Sequence, residues 1–202
     1  MYRHLFKRLI DTILAVCGFV VCCIPMAMIA ICIKLDSKGP VLFRQVRLGK
    51  GQKPITVYKF RTMCDHAYEI GGIATSASDS RITRVGAFLR RTSLDELPQM
   101  FNILNGTMAI IGPRPILDWE FEEYKDKNPL YVRRYDVKPG MFCTVDVVDR
   151  AAERDLQFEM DAEYAENVSF VLDLKTFFGI IAPVLTGRGV YKDENTSAKG
   201  KR

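Results

Sequence analysis

Residues 12–33 form a run of 22 positions without one charged side chain. At about 1.5 Å per helical residue, such a run covers the roughly 30 Å apolar thickness of a bilayer, so the pattern predicts a membrane helix. Pro25 interrupts it. The ring donates no N–H and crowds the carbonyl of Val21, which predicts a kink or a break, leaving two half-helices that each reach about halfway into the bilayer. Arg3, Lys7 and Arg8 precede the run, and Lys34, Lys38, Arg44, Arg47, Lys50 and Lys53 follow it. Both flanks therefore favour the cytoplasmic side. A re-entrant hairpin through one leaflet satisfies both, and residues 1–36 are assigned to it. A kinked crossing helix satisfies only one flank. A soluble core helix rarely stays uncharged for so long, and a signal peptide would have a shorter run ending in small residues.

Around this run the pattern is amphipathic. Leu5, Leu9 and Ile10 share one side of a basic first segment, which fits a helix lying at the interface or simple flanking residues. Two short strands are predicted at 41–49 and 54–63, around a turn between Gly49 and Pro54. Alternation in the second puts Lys59 and Arg61 on one face. Residues 65–80 read as a loop. Ile82, Val85, Phe88 and Leu89 keep helical spacing, with Arg81, Arg84 and Arg91 opposite and Arg90 near the helix end. A second helix is predicted over 92–106, where Leu94, Leu97, Phe101 and Leu104 line up, although Pro98 suggests that its regular part starts near Leu97. Ser93 and Glu96 match a capping box, with Asp95 in the first turn. The same stretch admits a functional reading, because a carboxylate beside Arg90 and Arg91 is held ionised and faces helix N–H groups suited to phosphate. An apolar strand then runs into Gly112-Pro-Arg-Pro115, whose prolines stiffen the support of Arg114. Residues 118–127 read as a solvated acidic helix. Residues 153–185 read as helix throughout, with Phe177, Phe178, Ile180, Ile181, Val184 and Leu185 either in the core or on lipid.

These elements predict an α+β protein: a single small, mostly helical domain with short strands over 37–191, the hairpin before it and a disordered tail over 192–202. The chain has 202 residues, enough for one domain beside the membrane segment. Its net charge of +5 suits an anionic membrane surface or phosphate-bearing ligands, and no nucleic-acid motif accompanies it. Of six cysteines, four lie in the apolar run, so neither a zinc spacing nor a disulfide framework appears.

Taken together, KFRTM (59–63), RVGAFLRRTSLDELPQMFNILNG (84–106), IGPRP (111–115) and AENVSFVLDLK (165–175) resemble the bacterial sugar transferases known as monotopic phosphoglycosyl transferases, over nearly the whole chain. The resemblance implies a re-entrant helix-break-helix with interfacial helices around a small α/β core, at the cytoplasmic face of a bacterial inner membrane. It implies transfer of a sugar 1-phosphate from a UDP-sugar to a polyprenyl phosphate such as undecaprenyl phosphate, releasing UMP, as the first membrane step of glycan or glycoconjugate assembly. Mg²⁺ is the implied cofactor, and a homodimer stays open.

Carried over by motif, the Asp-Glu dyad falls on Asp95 and Glu96, with Asp95 as nucleophile forming a covalent phosphosugar intermediate. Arg90, Arg114, Lys59 and Arg61 fall on phosphate-binding positions. Asp95, Glu96 and Asp161 are the implied metal ligands. Two departures stand out. Where the family usually reads PGITGWAQVNGR, residues 139–150 read PGMFCTVDVVDR, so the nucleotide-sugar contacts there are not carried over. Ile24, rather than serine, precedes Pro25, so another group, such as a cysteine thiol, must replace that hydroxyl. The rival reading is a non-catalytic membrane-surface adaptor, which would use the basic face only to sit on anionic lipid.

Overall fold

A computed structural model describes residues 2–67, 69, 79–149 and 152–186. The expected tail at 192–202 and most of the expected loop at 65–80 lie outside those residues. After a helical turn at Tyr2–Phe6, helix α1 runs from Lys7 to Asp36 and stays helical through Pro25. The predicted break is therefore absent, and α1 is one continuous helix. The proline takes one bond out of the ladder without ending it, and in the turn before it the Cys23 thiol donates to the Val20 carbonyl at 3.1 Å.

One stripe of α1 lies against the rest of the protein. Lys7, Asp11, Ala15, Met26 and Ile33 are buried, and Phe19, Cys22 and Ile29 pack beside Met26 and Ile33. Steps of three, four or a multiple of them keep these positions on one face. The opposite side is bare: Val20, Val21, Ile24, Ile31 and Leu35 are 60–83% exposed. Both ends of α1 are tied down. Lys7 Nζ sits 2.7 Å from Asp173 Oδ2, Asp11 Oδ1 accepts from the Ile110 N–H at 3.3 Å, and the Arg8 guanidinium donates to the carbonyls of Ile103 and Leu104. At the far end, Arg61 donates to the carbonyls of Ser37 and Lys38, while Asp36 Oδ2 accepts from the Val85 N–H at 3.1 Å.

Strands β1 (Leu42–Leu48) and β2 (Pro54–Phe60) form an antiparallel hairpin, with Leu42 opposite Phe60 and Leu48 opposite Pro54. Helix α2 (Arg84–Thr92) follows, its N-terminus capped by Thr83 Oγ1, which accepts from the Gly86 N–H at 3.0 Å. Gly86 is where α2 crosses the chain after β2: a Cβ there would lie 1.9 Å from the Thr62 carbonyl oxygen. The predicted helix at 92–106 is divided into a 3₁₀ segment, Leu94–Gln99, and a short helix α3, Met100–Leu104. Pro98, which cannot donate to a helical ladder, accounts for the tighter first part.

Strand β3 (Ala109–Ile111) leads into the Pro-Arg-Pro loop and helix α4 (Asp118–Tyr124). A 3₁₀ segment, Pro129–Asp136, then brings the chain to β4 (Gly140–Phe142), which pairs parallel with β3. Helices α5 (Val145–Val148), α6 (Arg154–Glu166) and α7 (Phe170–Thr186) complete the described chain. The long C-terminal helix of the prediction is thus two, separated at Asn167. Helix α4 is not simply solvated either, because Glu120 and Phe121 are buried. Of the residues left between core and lipid, Ile180 is buried, whereas Phe177, Phe178 and Ile181 are exposed. One core packs Val57, Ile103, Met108, Ile110, Ile111 and Met141 under the hairpin and the small sheet; another packs Ile116, Phe121, Tyr131, Tyr135 and Phe158 beneath α6.

Candidate active site

Three elements deliver charged side chains to one cleft. Lys59 projects from β2, Glu96 from the 3₁₀ segment and Arg114 from the loop after β3. Lys59 Nζ lies 2.8 Å from Glu96 Oε1, and Arg114 Nη2 lies 3.9 Å from the same oxygen. The further wall of the cleft includes Phe43, Gln45, Arg47, Gln99, Pro115 and Met141. Cations therefore outnumber carboxylates along it, which favours a phosphate-bearing ligand.

The local backbone explains the dyad. Ser93 sits at φ +57°, in the left-handed region, and ends α2. A helix N-cap needs an extended backbone, so the capping-box geometry expected at Ser93 is not formed. Asp95 and Glu96 instead ride on the tight 3₁₀ turn that follows. The Asp95 carboxyl is pushed up to about 6, first by burial and then by the like charge of Glu96, against the opposing pull of Lys59 and Arg90. A carboxylate of raised basicity is a better nucleophile while remaining mostly ionised at neutral pH.

Arg114 is bracketed by acids. Its Nη1 stands 3.7 Å from Asp146 Oδ1 on α5, and Glu96 faces its other nitrogen. Burial alone would lower the basicity of this guanidinium, but Asp146 and Glu96 outweigh it and raise it further. Asp146 is also fixed locally, accepting from the Cys143 N–H at 3.1 Å. It lies inside the divergent 139–150 stretch, four positions after β4, and no motif in the sequence singles it out.

The other candidate residues divide. Arg90 stands beside the dyad, with its Nε donating to Thr62 Oγ1 at 2.9 Å. Arg61 is not brought to the cleft: strand β2 ends at Phe60, and the buried Arg61 guanidinium is committed to the chain leaving α1. Asp161 is fully buried behind the Pro-Arg-Pro loop, 2.8 Å from Arg134 Nη2, where burial pushes its carboxyl up to about 6 against the pull of Arg134. Arg47 and Arg134 were missed by reading the sequence, because nothing in their spacing reveals that they fold onto this loop.

Among the described residues no group of three or more His, Cys, Asp or Glu side chains gathers as a metal cage. Mg²⁺ does not need one, since it commonly takes one or two carboxylates and completes its shell with substrate phosphates and water. Asp95 and Glu96 fit that mode.

The bacterial sugar transferase family matches residues 2–187. The chain is 39% identical over 187 residues to a UDP-N-acetylgalactosamine-undecaprenyl-phosphate N-acetylgalactosaminephosphotransferase of Aeromonas hydrophila, a match covering 91% of this chain and 44% of that protein. It is 39% identical over 194 residues to the exopolysaccharide production protein PSS of Rhizobium leguminosarum bv. phaseoli, covering 91% of this chain and 97% of that one. A UDP-glucose:undecaprenyl-phosphate glucose-1-phosphate transferase of Klebsiella pneumoniae is 40% identical over 179 residues, covering 86% of this chain and 38% of its own length. The chain thus spans less than half of two of these three relatives.

Proposed function

From the premise that this chain belongs to the bacterial sugar transferase family, we propose that it transfers a sugar 1-phosphate from a UDP-sugar to a polyprenyl phosphate such as undecaprenyl phosphate. UMP is the leaving product and a polyprenyl-diphosphate-sugar the final one. The observation that carries this reading is that Glu96 meets Lys59 and Arg114 in one cleft, with Asp95 next to it in the chain and within the electrostatic reach of Lys59 and Arg90.

In the first half-reaction an Asp95 oxygen attacks the phosphorus that bears the sugar, and the bond from that phosphorus to the bridging oxygen breaks, with the electron pair leaving on UMP. A covalent aspartyl phosphosugar remains. In the second half, an oxygen of the polyprenyl phosphate attacks the same phosphorus and Asp95 leaves as a carboxylate. Lys59 and Arg114 neutralise charge on the phosphoryl oxygens, a role preorganised donors fill best. Asp146 and Glu96 hold the Arg114 guanidinium from two sides, so it is oriented before substrate arrives. Mg²⁺, held by Asp95 and Glu96 with the substrate phosphates, would supply further charge neutralisation.

The membrane side of the reading is a monotopic, re-entrant anchor at the cytoplasmic face of a bacterial inner membrane. Its support is that α1 touches the catalytic domain along its length, from Lys7 and Asp11 to Ile33 and Asp36. A helix crossing the bilayer would carry one of those ends away from the domain. The exposed apolar side of α1, together with Phe170, Val171, Leu174 and Phe178 of α7, suits contact with lipid. Positive charge on both flanks agrees.

The test is release of UMP from a UDP-sugar by the purified protein in detergent or nanodiscs. Release that depends on both polyprenyl phosphate and Mg²⁺ is expected, and a panel of UDP-sugars identifies the donor. No release with any donor would overturn the reading.

A further inference from the structure

The loop that presents Arg114 has an unusual problem. Pro113 and Pro115 have no N–H, so the loop cannot hold itself through a backbone ladder. Its carbonyls are nevertheless all caught. Pro113 O accepts from the Gly140 N–H at 2.9 Å and Ile116 O from the Leu48 N–H at 2.9 Å, both from flanking strands. The two between them are caught by side chains: Arg114 O accepts from Arg134 Nη2 at 2.5 Å, and Pro115 O from Arg47 Nη1 at 3.3 Å.

Each of these arginines is neutralised from behind. Arg47 meets Glu120, which also pairs with Arg154. Arg134 meets Asp161 at 2.8 Å, and both side chains are 1% exposed. The Arg134 guanidinium also lies over the Phe158 ring at 4.5 Å from its centroid. Asp161 is the counter-charge of the guanidinium that takes the Arg114 carbonyl. Arg134, backed by Asp161, thus grips the main-chain carbonyl of one residue, and that residue carries the guanidinium of the cleft.

Burying an ion pair so completely costs several kcal/mol of desolvation per ion, and well-packed apolar residues often stabilise a core as well or better. Stability alone is thus a weak reason for this pair. We propose that Arg134 and Asp161 are positioning residues for the transferase site, fixing the peptide of Arg114 so that its guanidinium meets the transferring phosphoryl group. The proposal rests on the function proposed above; Asp161 acts here through Arg114 and touches no substrate.

The test replaces the pair by apolar residues of similar size, Arg134→Met with Asp161→Leu, so that no buried charge is orphaned. Hydrogen–deuterium exchange of residues 112–117 and UMP release are measured, alone and combined with Arg114→Ala. We expect the melting temperature to hold within a few degrees while exchange of the loop rises. The kcat/KM should fall at least about tenfold in the otherwise wild-type background, as loss of about 1.4 kcal/mol of transition-state stabilisation would. In the Arg114→Ala background the double change should cost nothing further, because it acts only through Arg114. An equal loss in both backgrounds, or unchanged exchange of the loop, overturns the proposal. If the double variant does not fold, the same cycle is run with Arg134→Lys, which keeps the charge but not the planar fork. Failure of both to fold makes the pair a requirement of the fold and overturns the proposal as well. Absence of UMP release by the wild-type protein would instead defeat the function it rests on, while loop exchange would still decide whether the pair holds the loop.

Discussion

At the scale of single residues, Asp95 is a catalytic candidate whose environment works against stability. Its folded value of about 6 lies above the ordinary 3.8, so the folded protein binds the proton more tightly than the unfolded chain. Below the ordinary value the group costs nothing. The cost grows as pH rises through the folded value and is complete above it. Asp95→Asn lacks this cost, so the variant should be more stable than wild type at pH 7 by on the order of 3 kcal/mol, and close to it near pH 4. Melting curves at the two pH values check this. A variant destabilised at pH 7 would point instead to a carboxylate serving the helix end. The same variant should lose transfer activity, because an amide cannot attack phosphorus. For Arg114→Ala, which removes a preorganised donor, we expect a loss of about 10²-fold in kcat or more, and an effect below about threefold would remove Arg114 from the site.

Among the elements, α2 shows a dependence on one small residue. Gly86 lets the helix cross Thr62 at backbone contact, and Thr62 also receives Arg90, so this crossing places a cation beside the dyad. Gly86→Ala should therefore cost at least about 1–3 kcal/mol, the usual range for overpacking, rather than gain the stability alanine gives an open helix. A thermal melt decides the sign. How much was legible in the sequence follows the same division. The hairpin β1–β2, helix α2 and strand β3 were readable because period and turn chemistry are local. The split of 92–106 was only hinted at by Pro98, and the left-handed Ser93 was not readable, because a capping-box spacing says nothing about φ. Arg61 was placed with Lys59 by alternation, which holds only while the strand continues, and it stops at Phe60. Asp146, Arg134, Arg47 and the burial of Glu120 depend on contacts between segments distant in sequence, which no local pattern encodes.

For the whole molecule, the central relation is between α1 and the domain that covers one stripe of it. If both ends of α1 are held on one side, accessibility tags at the N-terminus and at the C-terminus should both report the cytoplasm in intact cells. A tag at the N-terminus reached from outside, with the other end protected, would mean a crossing helix. Under the proposed function, this arrangement would bring a water-soluble donor and a lipid-bound acceptor to one carboxylate in turn, the geometry that a covalent relay needs. The most direct measurement is therefore incubation of the wild-type protein with a labelled UDP-sugar and Mg²⁺ in the absence of polyprenyl phosphate, followed by intact-mass and peptide analysis. The account predicts a sugar phosphate bound at Asp95, stoichiometric release of UMP, discharge of the adduct on adding polyprenyl phosphate, and no adduct on Asp95→Asn. No adduct under conditions where the complete reaction runs, with kinetics that require both substrates bound together, would contradict it.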